Sequence, residues 1–264
     1  MLLRQSRDWL RNLKSAVSPR RRRLPGRPAS YRPRLETLED RLAPANIFWK
    51  AAVDGNWSDA SKWSAGHAPL AGDDVFIMRT GAAYTVNVDS AVNIRGLTLY
   101  SPDATLTDVG QTFSTADRAD LDAGHVLLRN AHWQGTGTLN NLTGSATMVV
   151  EGNSFIDVPY YNSGHLQVHG NRALGLNAKL TVATGFTNDG AIEVSSTGTA
   201  DSTLAVTNGS LINMPGATID MPSPDPSTGG NRVLDLNDRA GLCSCSLSSS
   251  DHAPCRIGLA VSLA

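Results

Sequence analysis

The residues best suited to chemistry are few and scattered along this 264-residue chain. Cys243, Cys245, His252 and Cys255 spell C-x-C-x6-H-x2-C, thiols and an imidazole of the kind that bind zinc. They lie in Ser-rich sequence with nothing evident to orient them, and an odd three cysteines confined to one end do not make a disulfide framework. The strand-and-turn pattern also stops at about Asp238. Residues 238–264 therefore read as an irregular tail, a frameshifted or mistranslated end rather than a metal knuckle. His165 and His169 are four apart, which on a strand is about 13 Å, too far for one ion. Asp54, Asn56 and Asp59 share one loop and Asp73-Asp74 another, but neither follows the glycine–aspartate spacing of calcium-binding repeats. Turn capping is the ordinary role of such side chains. Asp157, Glu193, Asp201 and Asp220 show no pairing suited to acid–base work. Nucleophile elbows, phosphate loops and HExxH do not occur in the sequence. No catalytic, cofactor or metal role is assigned, and the chain reads as a non-enzyme.

The densest signal is aromatic. Three of the five tryptophans, Trp49, Trp57 and Trp63, fall within fifteen residues, in FWKAAVDGNWSDASKWSAGHAPLAGDDVFI. Trp57 and Trp63 could stack on sugar rings as glycan contacts. The preferred reading is a cap, because the open end of a stacked repeat must hide its first layer from water.

The elements that follow are short strands joined by Gly- and Asn-containing turns. Three segments align: Tyr161-Asn162-Ser163-Gly164-His165-Leu166-Gln167-Val168, Thr187-Asn188-Asp189-Gly190-Ala191-Ile192-Glu193-Val194, and Ile212-Asn213-Met214-Pro215-Gly216-Ala217-Thr218-Ile219-Asp220-Met221. Gly164, Gly190 and Gly216 are spaced by 26 residues in both intervals, and the third segment has one extra residue before its glycine. A degenerate unit surrounds Asn141 and Gly144. Asn162, Gly164, Asn188, Gly190, Asn213 and Gly216 are read as structural turns, since Asn and Gly tolerate the left-handed conformation. After each turn Leu166 and Val168, Ile192 and Val194, Ile219 and Met221 alternate inward. Each unit has too few apolar residues to bury a core alone, so the units must stack. The expectation is an all-β parallel β-helix, a right-handed β-solenoid. Tyr84–Val88, Leu97–Leu99, Val126–Leu128 and Leu204–Val206 are further strands; an antiparallel β-sandwich is the rival.

Charge divides the chain. Residues 1–45 hold twelve of the 23 basic and four of the 24 acidic residues, a net of +8, and the remainder carries −9. The leader mixes Arg20-Arg21-Arg22-Arg23 with several prolines and reads as disordered, apart from a short basic helix at 2–17. A nucleic-acid arm is disfavoured, because the acidic body offers no second basic face. A membrane-surface or export-type leader is favoured over such an arm, although the apolar stretch of a standard signal is lacking, and a solvated tail of no specific role is the plain alternative. No run approaches the roughly 20 apolar residues of a membrane span.

Arg34-Leu35-Glu36-Thr37-Leu38-Glu39-Asp40-Arg41-Leu42-Ala43-Pro44 resembles the LExLEDRxxP element in the leaders of large planctomycete surface proteins. The tryptophan block is similar to the opening of autotransporter-like and filamentous-haemagglutinin-like β-solenoids. Those resemblances imply an exported, adhesin-like or envelope structural protein, extracellular or at the cell surface, with envelope components or extracellular polysaccharide as partners. This chain is shorter than such proteins and could be a truncated fragment. A β-helical carbohydrate-active enzyme or glycan-binding module is the alternative. The domains are drawn as 1–45 leader, 46–80 Trp-rich cap, 81–237 solenoid repeats and 238–264 tail.

Overall fold

The computed structural model describes residues 44–222 and 229–236. The basic leader with its expected helix, most of the LExLEDRxxP element and the Cys/His run lie outside them. Within the described residues there is no α-helix, and the chain winds through three parallel sheets.

The first sheet stacks β1 (Asn46–Phe48), β3 (Asp74–Ile77), the starts of β6 (Gly96–Val109) and β8 (Arg118–Arg129), β10 (Thr138–Asn141), β12 (Tyr160–Asn162), β15 (Phe186–Asn188) and β18 (Leu211–Asn213). The second stacks β2 (Gly55–Asn56), β4 (Tyr84–Val88), the later parts of β6 and β8, the start of β11 (Ala146–Ile156), β13 (His165–Gly170), β16 (Ala191–Ser196) and β19 (Thr218–Asp220). The third stacks β5 (Val92–Ile94), β7 (Thr112–Thr115), β9 (His132–Gly135), the end of β11, β14 (Ala178–Val182), β17 (Ser202–Val206) and β20 (Arg232–Leu236). The chain visits the sheets in rotation, so it is a parallel β-solenoid. Paired strands of a sandwich would be antiparallel, and these run parallel throughout the three sheets.

The alternation read from sequence explains the interior. In the second sheet Val86, Leu106, Val126, Met148, Leu166, Ile192 and Ile219 form one column, in register and all buried. Each coil adds a layer to a core that no coil could form alone.

The turns differ from expectation in their physics. Gly164 and Gly190 do not take positive φ. They are glycines because the coils pass too close for a side chain: a Cβ at Gly190 would lie 2.2 Å from the Gly164 carbonyl oxygen. Gly216 is different in kind. Its φ is +92° with open space around it, in a turn closed by the Ala217 N–H donating to the Met214 carbonyl at 3.0 Å. The extra Pro215 therefore makes a new turn, and Gly216 is not the structural equivalent of Gly190. Gly144 is likewise open on all sides, unlike Gly164.

The first coil is part of the solenoid, since β1 already pairs with β3 and β2 with β4. The cap is thus residues of that coil, not a separate layer before residue 81.

Register is open to a direct test. Ile192→Asp places a carboxylate in the aliphatic column and is expected to cost several kcal/mol. Thr107→Glu, outward between Asn87 and Leu127, is expected to be nearly neutral. Thr107 is a cleaner control than Gln167, where an acid would face Glu193. Equal losses in chemical denaturation would refute the assigned faces.

Candidate functional site

Trp49, Trp57 and Trp63 are no more than 2% exposed. Trp63 meets both others edge-on, with ring centroids 4.8 Å apart in each pair. Its indole N–H donates to the Trp57 carbonyl at 2.7 Å, and that of Trp49 to the Val53 carbonyl at 3.2 Å. The stack continues inward from Trp57 to Phe113 and from Phe113 to Trp133. Neither Trp57 nor Trp63 offers a ring face to solvent, so the sugar-stacking platform is not part of this geometry. The segment also seals an edge. Lys50 N–H donates to the Lys62 carbonyl at 2.8 Å and Ser64 N–H to the Phe48 carbonyl at 2.9 Å, an antiparallel return across the outer side of β1. That covers outer backbone groups at the C-terminal end of β1, which a first strand would otherwise leave unpaired.

The asparagines read as turn formers make a ladder instead. Ile77, Leu99, Leu121, Asn141, Asn162, Asn188 and Asn213 share one inward column of the first sheet. Asn141 donates through Nδ2 to Asn162 Oδ1 at 2.8 Å, Asn162 to Asn188 at 2.7 Å, and Asn188 to Asn213 at 2.6 Å. Each donor also reaches a carbonyl one coil on: His165 from Asn141, Ala191 from Asn162 and Thr218 from Asn188. Asn141, Asn162 and Asn188 are fully buried. Tyr160 adds a hydroxyl donated to Asn162 Oδ1 at 3.3 Å, and burial holds its phenol above the ordinary value. The N-x-G signature hid this role, because it also describes a tight turn.

The candidate metal ligands that fall among the described residues have hydrogen-bond or ion-pair partners. Asp59 caps a short 3-10 turn, and bonds from the Ser61 hydroxyl and amide hold its carboxyl below the ordinary value. Asp54 accepts from Thr85 N–H at 2.6 Å, and Asp73 from Leu70 and Ala45. Asp74 is paired with Arg95. His165 lies 3.9 Å from Glu193, and His169 is bonded to Ser195 at 3.1 Å. Among the described residues no three His, Cys, Asp or Glu side chains group in a way that would hold an ion.

Among the described residues, two surface concavities bear on a possible site. One, of about 500 Å³, follows the corner floored by Gly144, Gly164, Gly190 and Gly216 and edged by His165 and Asp189. The other, of about 160 Å³, lies over the first sheet between Asp74, Phe76, Gly96, Asp117, Arg118 and Asp120. Phe76 stacks on Phe48 beside it, centroids 4.9 Å apart and planes 20° from parallel. Asp201 and Asp220 join neither concavity. Among the described residues no helix is long and apolar enough to cross a membrane.

No protein-family model, curated protein or solved structure compared with this chain gives a match.

Trp63→Ala removes the centre of the aromatic stack and is expected to cost about 3–5 kcal/mol in denaturant unfolding. A variant of unchanged stability that had lost polysaccharide binding would restore the platform. Within the ladder, Asn188→Ala breaks bonds on both sides, taking an acceptor from Asn162 and a donor from Asn213, for an expected loss of about 2–4 kcal/mol. Asn213→Ala, at the ladder's end, is expected to cost about 1–2 kcal/mol. The ordering of the two, read by thermal or denaturant midpoint, checks that the asparagines act as one chain.

Proposed function

We propose that this chain is a non-catalytic β-solenoid of the cell surface or extracellular medium, adhesin-like or structural in the envelope. The observation that carries the reading is where the outward polar side chains go. They tie neighbouring coils to each other: Arg95 to Asp74, Arg129 to Glu151, His132 to Asp157, Tyr161 to Asp189 and Gln167 to Glu193. Side chains used in this way stiffen a rod, and a rod's use is to present or space other things. The basic leader ending in an LExLEDRxxP-like element before the acidic body supports an exported destination.

A second reading, a carbohydrate-active or glycan-binding module, is favoured by one feature. Arg118 with Asp74, Asp117 and Asp120 lines a concavity beside an aromatic stack. Against it, Arg95 and Arg118 already neutralise Asp74 and Asp120. Both phenyl rings stack along the solenoid axis, which uses the shared ring faces that a sugar would need.

Fractionation of the native cell with mass spectrometry tests the first reading. The expected result is protein in the envelope or medium whose first residue lies near Ala45 or Asn46. Intact chain confined to the cytoplasm would refute it. Polysaccharide binding abolished by Arg118→Ala, with stability retained, would favour the second.

A further inference from the structure

One position breaks the second sheet's other inward column. Val88, Asp108, Leu128, Val150, Val168 and Val194 stack there, so a carboxyl group stands between a valine and a leucine. Asp108 is 2% exposed. Its Oδ1 accepts from the Gln111 N–H at 3.0 Å, closing the corner that leads into the third sheet. Its Oδ2 is buried with no hydrogen-bond partner.

The charged groups on the elements around it are engaged elsewhere. Asp89, after Val88, accepts from the Ser58 amide and hydroxyl. Arg129, after Leu128, is paired with Glu151, and His132 at the start of the third-sheet strand is bonded to Asp157. Among the described residues no cation balances Asp108.

We propose that Asp108 is an internal proton-binding site, so that the solenoid is tighter in mildly acidic surroundings than in neutral ones. The protonated acid keeps a carbonyl oxygen for Gln111 and places no charge among aliphatic neighbours. The carboxylate keeps the same bond but must hold its charge beside Val88 and Leu128, where little opposes the cost of lost hydration. Burial pushes the carboxyl up to about 6 from its ordinary 3.8, with only the Gln111 amide acting the other way. The folded value lies above the unfolded one, so this stabilisation is complete below about pH 4 and lost as pH rises through about 6.

Asp108→Asn keeps the oxygen that Gln111 needs and cannot ionise. Thermal midpoints of both proteins between pH 4 and pH 7.5 give the test. The wild type is expected to lose about 5 °C or more relative to the variant across that range, with the difference titrating near pH 6. Carboxyl-carbon NMR of the wild type reads the same event without a variant, and is expected to place the Asp108 titration near 6. Parallel pH profiles, or an Asp108 titration at or below 4, would overturn the proposal. Should Asp108→Asn fail to fold, the NMR titration alone decides.

Discussion

Everything in this molecule answers to the backbone hydrogen bonds that join one coil to the next. They set each residue about 4.8 Å above its counterpart in the preceding coil. A column therefore accepts only side chains that can lie on copies of themselves or on a complement. Aliphatic groups do so by dispersion, aromatic rings by offset or edge contact, and asparagine by passing one amide hydrogen to the next oxygen. Asp108 obeys no such rule, and that is why its chemistry stands apart.

The same rule orders the outside. Arg129 sits opposite Glu151 in the register, and Gln167 opposite Glu193. Like charges in such places would repel at short range along the whole rod. The low charge of the body after residue 45, with 11 basic and 20 acidic residues, accords with this. A surface made of columns has few positions where a charge finds an opposite neighbour, and Thr, Ser and Asn fill the rest. Surface ion pairs are individually weak. Their contribution here is a preference for one register over its neighbours.

The parts visible in the sequence were those encoded within a few residues. Alternation in Leu166-Gln167-Val168 and Ile192-Glu193-Val194 marked the inward face, and the crowding of Trp49, Trp57 and Trp63 marked a buried cluster. Relations between distant segments were hidden. Phe113 and Trp133 belong to the aromatic stack, yet nothing near them in the chain says so. The repeat was readable only late, because corner lengths vary. Leu166 follows Met148 by 18 residues, whereas Leu236 follows Val206 by 30. Insertions at corners leave the register intact while erasing the period. The equal glycine spacing was in part coincidence, since the 25-residue step from Asn188 to Asn213 was restored to 26 by Pro215. Asn162 and Asn188 had two uses open to them, a turn or a ladder, and only the neighbouring coils decide which.

The change of chemistry between Leu121 and Asn141 in a single column has a thermal meaning. Upstream, that column is held by apolar burial, whose strength declines on cooling and which carries a large heat-capacity increment. Downstream, amide-to-amide bonds carry much less of either. The two stretches of this one column thus contribute with different temperature dependences, while the apolar columns of the second sheet run through both. Chilling loosens the upstream column first, and the boundary between the two behaviours falls at one coil junction.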